Sequence, residues 1–512
     1  MKAWLASILL KKAENKRYWI ILSLIVKSIT FLILLYSNIL QPYHHGGFWG
    51  SLDGDSGSYV DPIDHFLSSG NYTPDLRMPG YGVIYLVPRL FFSQETSYNI
   101  LIILQFLTSA ISVYYLALLA RILFKNAAIF YITFYIFLFS QFSNYYDGCI
   151  MSESFCTSFL IFASYSFAKY FDSGNSSCLF FSGILFTWII FIKPIFVLIL
   201  PVAFFILIII EWKQKKQFYN KQIVLFILPF VLIDVAWIAR NYSVHKTFQP
   251  LTSLAYHEYI EIMPAMDFVK SWGGTYHPWR RETAVCWFGF NIKKSPNYTV
   301  PDGDIPQALE GKLGHNYFYT SRFNYDSLLQ LKKMVMLLRD SANNTIQTNN
   351  KLRSQISEKF STYTASVRKE KPYLYYVKSR MKYLELLFMP DHNDERVSTA
   401  LQNKNGSNLL YSGITWVYLK IISNLGMLLY PAILYGGLVG LFFVILYGIK
   451  NSVIVLLVVT PILNTLLPSV ILNLDENRYI IPMWPFLIIC ASYLIMSISA
   501  YLNRTITYVR LR

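Results

Sequence analysis

Two aspartates lie close together in a glycine- and serine-rich segment that follows the first apolar stretch of the chain. Asp53 and Asp55 belong to the segment 52–57, in which Gly54 separates them. Glycine leaves the backbone flexible enough to bring a carboxylate close to a ligand. Because a carboxylate beside a bilayer is costly to desolvate and needs partners, the pair predicts a site that handles charged or proton-bearing groups. Ordinary loop aspartates in an Asx-turn are the alternative.

The residues after this pair carry helix signals of their own. Asp61 precedes Pro62, a combination that predicts a helix start, since Asp accepts hydrogen bonds from the first backbone amides and Pro suits the first helical position. Gly70 predicts the end of that helix. Asp61 therefore has a structural explanation, which Asp53 and Asp55 lack.

The elements that position these residues are predicted by apolar blocks of membrane-spanning length. Of the 512 residues, 54% are hydrophobic and only 14% are charged. We therefore expect an all-α polytopic membrane protein with about 10–12 transmembrane helices. The segment 79–93 is predicted as a short broken helix or a further span. The other predicted spans are 19–40, 97–120, 127–143, 151–168, 179–192, 195–210, 222–239, 428–449, 452–472 and 479–500.

The net charge of +16 reflects basic residues near the ends of the predicted spans. The positive-inside rule places them in the cytoplasm, together with both chain ends. This distribution indicates orientation in the cytoplasmic (inner) membrane and no nucleic-acid partner. The main basic residues are Lys11, Lys12, Lys16, Arg17, Arg121, Lys125, Lys169, Lys213, Lys215, Lys216, Lys221, Lys450, Arg504, Arg510 and Arg512.

The segments between these basic clusters share the extracytoplasmic face. They include the first loop at 41–96 and a long polar loop at 241–427. The predicted organisation is therefore a transmembrane module at 1–240, the extracytoplasmic region at 241–427 and a second transmembrane module at 428–512. Glycine-rich nucleotide-binding patterns are absent from the sequence, which argues against an enzyme that uses a nucleotide sugar or ATP.

Two strings in the first loop resemble a known family. Asp55-Ser56-Gly57-Ser58-Tyr59 and Arg77-Met78-Pro79-Gly80-Tyr81 are similar to the first external loop of C-type (GT-C) membrane glycosyltransferases of the protein mannosyltransferase and aminoarabinose transferase kind. Pro62 departs from that pattern, because the helix in such enzymes usually continues from the Asp-Ser-x-x-Tyr start. Landmarks that resemble the family in the same order are Glu153, Lys193-Pro194, Trp237-Ile238-Ala239-Arg240-Asn241 and Arg478-Tyr479-Ile480-Ile481-Pro482.

The resemblance implies a GT-C-like membrane fold and the transfer of a sugar from a polyprenyl-phosphate carrier to a lipid, glycan or protein acceptor. A carboxylate of the first loop takes the acceptor proton, and cations stabilise the departing phosphate. We expect Asp55 to be the base, with Asp53 second. The residues expected to bind the phosphate are Arg77, Lys193, Arg240 and Arg478, and those expected to orient the acceptor or a metal are Glu153 and Asp147.

Several alternatives remain open from the sequence. Asp53 and Asp55 also suit a divalent cation, Mg²⁺ or Mn²⁺, as a cofactor. Glu153 is also favourable simply as a residue near a helix N-terminus, and Lys193 as a side chain that reaches the interface. A lipid-linked glycan polymerase or ligase is the rival enzyme. A glycolipid transporter or flippase is the rival from another class, although charges within the spans are few, mainly Lys27 and Asp234.

Overall fold

The structure of the protein, a computed structural model, is almost entirely helical in the residues that it describes. Within them there is no β-strand, and only two isolated β-bridges occur, Ser51 with Cys149 and Thr320 with Phe323. This confirms the all-α prediction. The described residues are 15–36, 47–52, 55–72, 74, 77–140, 145–215, 221–245, 248, 250–251, 257–272, 284, 287–290, 306–307, 317, 319–340, 346–388, 409–448, 453, 455–471 and 477–510.

The α-helices are numbered here in chain order. They are α1 (Lys16–Tyr36), α2 (Ser56–Ser69), α3 (Gly80–Arg89), α4 (Gln94–Phe124), α5 (Ala127–Leu138), α6 (Ser152–Ser173), α7 (Ser176–Ile192), α8 (Ile199–Lys215), α9 (Lys221–His245), α10 (His257–Trp272), α11 (Tyr325–Asp340), α12 (Ile346–Glu370), α13 (Ser379–Phe388), α14 (Leu409–Gly448), α15 (Thr460–Ile471) and α16 (Trp484–Arg510). Shorter turns of 3₁₀ or π helix lie at Tyr145–Gly148, Pro194–Phe196, Leu374–Lys378, Val455–Val459 and Asn477–Met483.

Five helical segments among the described residues are long and apolar enough to cross a membrane. Helix also covers part of every other predicted span, but there it is shorter or less apolar; α5 and α7, for example, are apolar helices of 10–17 residues. Segment 79–93 contains the short helix α3. The five long segments are Gln94–Phe124, Pro194–Trp212, Lys221–Val244, Asn424–Tyr447 and Arg478–Leu502.

The chain divides into two compact units. The first comprises Met1–Leu254, Pro390–Leu467 and Arg478–Arg512, and the second comprises Ala255–Met389 and Pro468–Asn477. In the first unit α14 packs along α16, and α6 packs against both α4 and α7.

A glycine permits the close approach of α14 and α16. A Cβ atom added at Gly437 would lie 2.9 Å from the carbonyl oxygen of Leu487. Small residues such as glycine let the backbones of apolar helices approach closely, and they are enriched at helix interfaces in membranes. The C-terminal part of the first unit is therefore a tightly packed helix pair, and this pair carries the segment that begins with Arg478.

Helix α2 begins earlier than the sequence predicts. Asp55 occupies the position before its first residue, and the Asp55 carbonyl oxygen accepts hydrogen bonds from Ser58 N (3.1 Å) and Ser58 Oγ (2.6 Å). The helix then continues through Pro62, which is buried inside it. The predicted start at Asp61-Pro62 is therefore wrong, because these local hydrogen bonds to Asp55 form the first turn upstream of Pro62. The missing amide of one proline does not end the helix.

The predicted end of α2 at Gly70 is confirmed. Gly70 has a φ of 75° in the left-handed region, and its amide donates to the Phe66 carbonyl oxygen at 2.8 Å. Gly70→Ala is expected to lower the free energy of unfolding by about 1 kcal/mol, because an L side chain is strained in this conformation. Among the residues that the structure describes, no neighbouring atom lies within 4 Å of an added Cβ, so the expected effect is one of backbone conformation. Thermal unfolding of the purified protein measures it, and Gly70→Asn is expected to cost less.

The second unit has an aromatic core of its own, centred on Phe268 of α10. This fully buried ring lies 5.2 Å from the ring centre of Phe323 and 5.8 Å from those of Phe360 and Tyr363. Phe360 and Tyr363 belong to α12, so α10 and α12 are joined through these rings. The polar, tyrosine-rich part of the sequence therefore contains a packed helical core.

Phe268→Ala is expected to lower the free energy of unfolding by about 3–5 kcal/mol, because it leaves a cavity between aromatic rings that cannot collapse into it. Phe268→Leu keeps most of the volume and is expected to cost clearly less. Limited proteolysis of both variants, followed by identification of the cut sites, reports on this unit. Equal protection of Phe268→Ala and the parent protein would contradict the central position of the ring.

Candidate functional site

Asp55 lies between two arginines. Its Oδ2 lies 2.9 Å from Arg77 Nη2 and accepts from Arg478 Nη2 at 2.6 Å. The Asp55 side chain is 29% exposed, as is that of Arg77, whereas Arg478 is 13% exposed. The structure therefore brings together the predicted base and two of the predicted phosphate-binding residues, although they come from opposite ends of the sequence.

Arg77 is held in place by residues of α2. Its guanidinium lies over the Tyr59 ring, 4.7 Å from the centre, and its Nε donates to Ser58 Oγ at 3.1 Å. Burial alone lowers the pKa of Arg77, but the neighbouring Tyr59 and Asp55 outweigh that effect, so the pKa is raised. The guanidinium stays charged, and its orientation is fixed by stacking as well as by the ion pair.

Tyr59 joins Arg77 to a second charged pair. Burial raises the pKa of the Tyr59 phenol, and the positive charge of Arg77 opposes this only in part. The neutral hydroxyl donates to Ser152 Oγ at 3.1 Å, and Ser152 Oγ donates to Glu153 Oε2 at 3.3 Å. A chain of hydrogen bonds therefore runs from α2 to the first turn of α6.

Glu153 and Lys193 form a buried ion pair. Lys193 Nζ lies 2.9 Å from Glu153 Oε1, and the Lys193 and Glu153 side chains are 10% and 1% exposed, respectively. Lys193 ends α7, where its extended backbone precedes Pro194. Glu153, which was predicted to orient the acceptor, and Lys193, which was predicted to bind the phosphate, are therefore paired with each other.

Tyr479 completes the arrangement. Its ring centre lies 4.7 Å from Lys193 Nζ and 5.4 Å from the guanidinium carbon of Arg478. The contacts therefore form a closed circuit with two carboxylates and three cations, which leaves one positive charge in excess. We call this set the charged ring; its members are Asp55, Tyr59, Arg77, Ser152, Glu153, Lys193, Arg478 and Tyr479.

The N-terminus of α6, which carries Glu153, is positioned by buried hydrogen bonds. Gln105 of α4 donates to the Cys149 carbonyl oxygen at 2.7 Å and accepts from the Tyr81 hydroxyl at 2.6 Å. Ser51 pairs with the same segment, since its amide donates to Gly148 O at 2.8 Å. Sequence patterns of single helices do not contain these contacts, because each one joins distant parts of the chain.

Asp147 lies beside this segment with both carboxylate oxygens engaged. Oδ2 is 2.9 Å from Lys27 Nζ, and Oδ1 accepts from Ser154 Oγ at 2.7 Å. Lys27 Nζ also donates to Ser109 Oγ. The prediction that Asp147 orients an acceptor or a metal stays a prediction. The observed contacts give Asp147 a structural role, because they link α1 to α4 and α6.

Arg240 lies in a neighbouring aromatic group. It donates to the Tyr72 carbonyl oxygen at 2.7 Å, and its guanidinium carbon is 5.1 Å from the centre of the Trp237 ring. Trp237 packs with Met78 and Phe191. Since Met78 follows Arg77 and Phe191 precedes Lys193 by two residues, the aromatic group around Arg240 adjoins the charged ring.

Asp53 and Asp234 were also singled out from the sequence. Asp53, the second candidate base, lies outside the described residues. Asp234, the candidate charge within a span, accepts a hydrogen bond from Leu251 N at 3.3 Å. The roles of Tyr59 and Tyr479 were missed, although both lie inside the quoted motifs. Tyr479 directly follows Arg478, and that was the available signal, whereas Tyr59 is distant from Arg77 in the sequence.

A divalent cation does not fit the described part of the site. Asp55 Oδ2 is already paired with two guanidinium groups, and a nearby cation is repelled by both. Among the residues that the structure describes, no group of three or more His, Cys, Asp or Glu side chains is placed to hold a metal ion. The Mg²⁺ or Mn²⁺ alternative also involved Asp53, which lies outside the described residues, so it stays a prediction, and no step below uses a metal.

The charged ring combines a partly exposed carboxylate with three cations, each of which lies over a tyrosine ring. Such a set can accept a proton and bind a phosphate oxygen within one small volume. No protein-family model matches the chain, and no curated protein matches it.

Proposed function

We propose that the chain is an integral membrane glycosyltransferase that moves a sugar from a polyprenyl-phosphate carrier to a lipid, glycan or protein acceptor. One observation carries the proposal: Asp55 of the first loop contacts Arg77 and Arg478, so a potential base and potential phosphate ligands share one site. The first-loop and Arg478 motifs that resemble GT-C enzymes supply these same residues, which supports a GT-C-like architecture.

Each residue of the ring has a role in this proposal. Asp55 takes the proton of the attacking acceptor group, a contribution of about 10²- to 10⁴-fold to the rate. Arg77 and Arg478 stabilise the charge that gathers on the departing phosphate. Lys193 adds a third cation, and Arg240 extends the basic surface beside the ring. Glu153 holds Lys193 in place through the buried pair.

The proposed location is the cytoplasmic (inner) membrane, with the ring on the extracytoplasmic side. In the described part of the chain, five apolar helices of sufficient length support a polytopic membrane protein. The basic residues at 213–221 and in the tail at 504–512 lie at the ends of predicted spans remote from the ring residues, which supports the orientation. The acceptor is expected to contact the extracytoplasmic region.

Mass spectrometry of surface glycolipids and glycans, from cells with and without the chain, tests the proposal. The expected result is the loss of one sugar from a surface molecule and an accumulation of its polyprenyl-phosphate donor. A change confined to the cytosolic nucleotide-sugar pool would contradict it. In proteoliposomes, movement of a labelled polyprenyl-phosphate sugar across the bilayer with its sugar–phosphate bond intact would favour a transporter instead.

A further inference from the structure

The carboxylate of Asp55 occupies the point on which two guanidinium groups converge. Arg77 Nη2 and Arg478 Nη2 both contact the same oxygen, Oδ2, at 2.9 Å and 2.6 Å. A guanidinium binds carboxylate and phosphate oxygens through the same hydrogen-bond geometry. The position of Oδ2 is therefore also a position that a phosphate oxygen can take.

The pairing of Oδ2 with the arginines and the binding of a donor phosphate at the same position cannot occur at the same time. While Oδ2 is paired with both arginines, those arginines are directed at Asp55 rather than at a donor phosphate. A base must also direct a lone pair at the acceptor proton, within about 2.6–3.2 Å of the donor atom. In the observed arrangement Oδ2 occupies the phosphate position and directs its lone pairs at the arginines, so use of this position by phosphate, or of this oxygen as the base, requires that Asp55 and the arginines separate.

We propose that Asp55 is an internal competitor of the donor: it occupies the phosphate position in the resting protein, and the phosphate of the polyprenyl-phosphate sugar displaces it from Arg77 and Arg478. This inference rests on the proposed function, from which it takes the donor class. It adds that the base becomes available only after the donor has bound. Donor binding therefore precedes productive acceptor binding.

The surroundings of the arginines favour this exchange. Arg77 is stacked on Tyr59 and bonded to Ser58, and Arg478 is stacked on Tyr479, so both retain supports when Asp55 moves away. The Asp55 side chain makes no capping hydrogen bond to α2, although it occupies the capping position. Its displacement therefore leaves the helix start intact.

The Asp55–Arg77 pair of the charged ring is less buried than the Glu153–Lys193 pair, and only the less buried pair is able to rearrange. Asp55 and Arg77 are each 29% exposed, whereas Glu153 is 1% exposed and paired with Lys193. Exchange of an exposed carboxylate for a phosphate keeps the arginines paired throughout. Breaking the buried pair would leave a charge without a partner in a low-dielectric environment, so the exchange is confined to Asp55.

The chemical step that follows is a substitution at the anomeric carbon. The acceptor oxygen or nitrogen forms a bond to the anomeric carbon, and its proton passes to the Asp55 carboxylate. The bond between the anomeric carbon and the phosphate oxygen breaks, and its electron pair stays on the phosphate, opposite Arg77 and Arg478. No oxidant, reductant or metal is required.

Binding of a sugar-free carrier analogue to the Asp55→Asn protein tests the competition. Farnesyl phosphate, titrated into the full-length protein in phosphatidylcholine nanodiscs, is expected to bind about tenfold more tightly to Asp55→Asn than to the parent, because the internal competitor is weakened. Asp64→Asn is the matched control: it removes the same charge from the same helix, where Asp64 pairs with Arg89 instead, and it is expected to leave the affinity unchanged.

An Arg478→Gln background separates local competition from a general gain in positive charge. Competition predicts that the gain from Asp55→Asn shrinks to about threefold or less in that background, because Arg478 is one of the two contested groups. A full tenfold gain there, or an equal gain in Asp64→Asn, would overturn the inference. Asp55→Ala provides a second test of the same point if Asp55→Asn is poorly folded.

The outcomes distinguish this inference from the proposed function. Loss of sugar transfer in Asp55→Asn together with unchanged or weaker farnesyl phosphate binding would overturn the competition and leave the glycosyltransferase in place. Full transfer by Asp55→Asn would instead overturn the role of Asp55 as base. Tighter binding with lost transfer supports both.

Discussion

Asp55→Asn is expected to lower the rate of sugar transfer by about 10²- to 10⁴-fold, the range that a positioned general base contributes. The amide keeps the size of the side chain and a hydrogen-bond acceptor for Arg77 and Arg478, but it cannot take the proton of the acceptor. Transfer of radiolabelled sugar from the polyprenyl-phosphate donor in membranes, measured as an initial rate at saturating donor, gives the loss.

The control for this effect is a carboxylate of the same helix outside the charged ring. Asp64 accepts from Arg89 Nε at 2.6 Å, and Asp64→Asn is expected to change the rate less than about threefold, because it affects local packing and not the proton acceptor. Asp55→Glu restores a carboxylate at a shifted position and is expected to recover part of the activity. Wild-type rates in Asp55→Asn would exclude Asp55 as the base.

The helical architecture was largely predictable from the sequence, because apolar blocks of spanning length force the backbone to satisfy its own hydrogen bonds. Helix covers part of each predicted span, and Gly70 ends α2 as predicted. The start of α2 was not predictable from the Asp61-Pro62 signal. Ser58 forms two hydrogen bonds with the Asp55 carbonyl oxygen, and that competing local arrangement nucleates the helix upstream.

The residues of the site were predictable from the sequence, but the contacts between them were not. Motifs identified Asp55, Arg77 and Arg478 one by one, and the structure adds that the two arginines share a single carboxylate oxygen. Similarly, Lys27 and Asp147 were each singled out from the sequence, but the buried ion pair that they form across distant segments was not predicted. Such long-range pairs depend on how helices pack, and that information is absent from the periodicity of any one helix.

Lys193 has two candidate roles, support of the fold through its buried pair with Glu153 and binding of the donor phosphate. Variants of this pair distinguish the two roles. Lys193→Met is expected to lower the free energy of unfolding by about 3–5 kcal/mol, because it leaves the Glu153 carboxylate buried without its cation. Thermal unfolding in detergent measures the change. Lys382→Met, which removes a lysine paired with the 50%-exposed Glu385, is expected to cost less than about 1 kcal/mol.

The double variant Glu153→Leu/Lys193→Met decides between the two explanations. Replacement of a buried ion pair by apolar side chains is often neutral for stability, so the double variant is expected to recover most of the unfolding free energy that Lys193→Met loses. If Lys193 also stabilises the departing phosphate, sugar transfer stays at least about tenfold below the parent rate even though folding is restored. A double variant with both parent-like stability and parent-like transfer would reduce Lys193 to a structural residue and leave Arg77 and Arg478 as the cations opposite the phosphate.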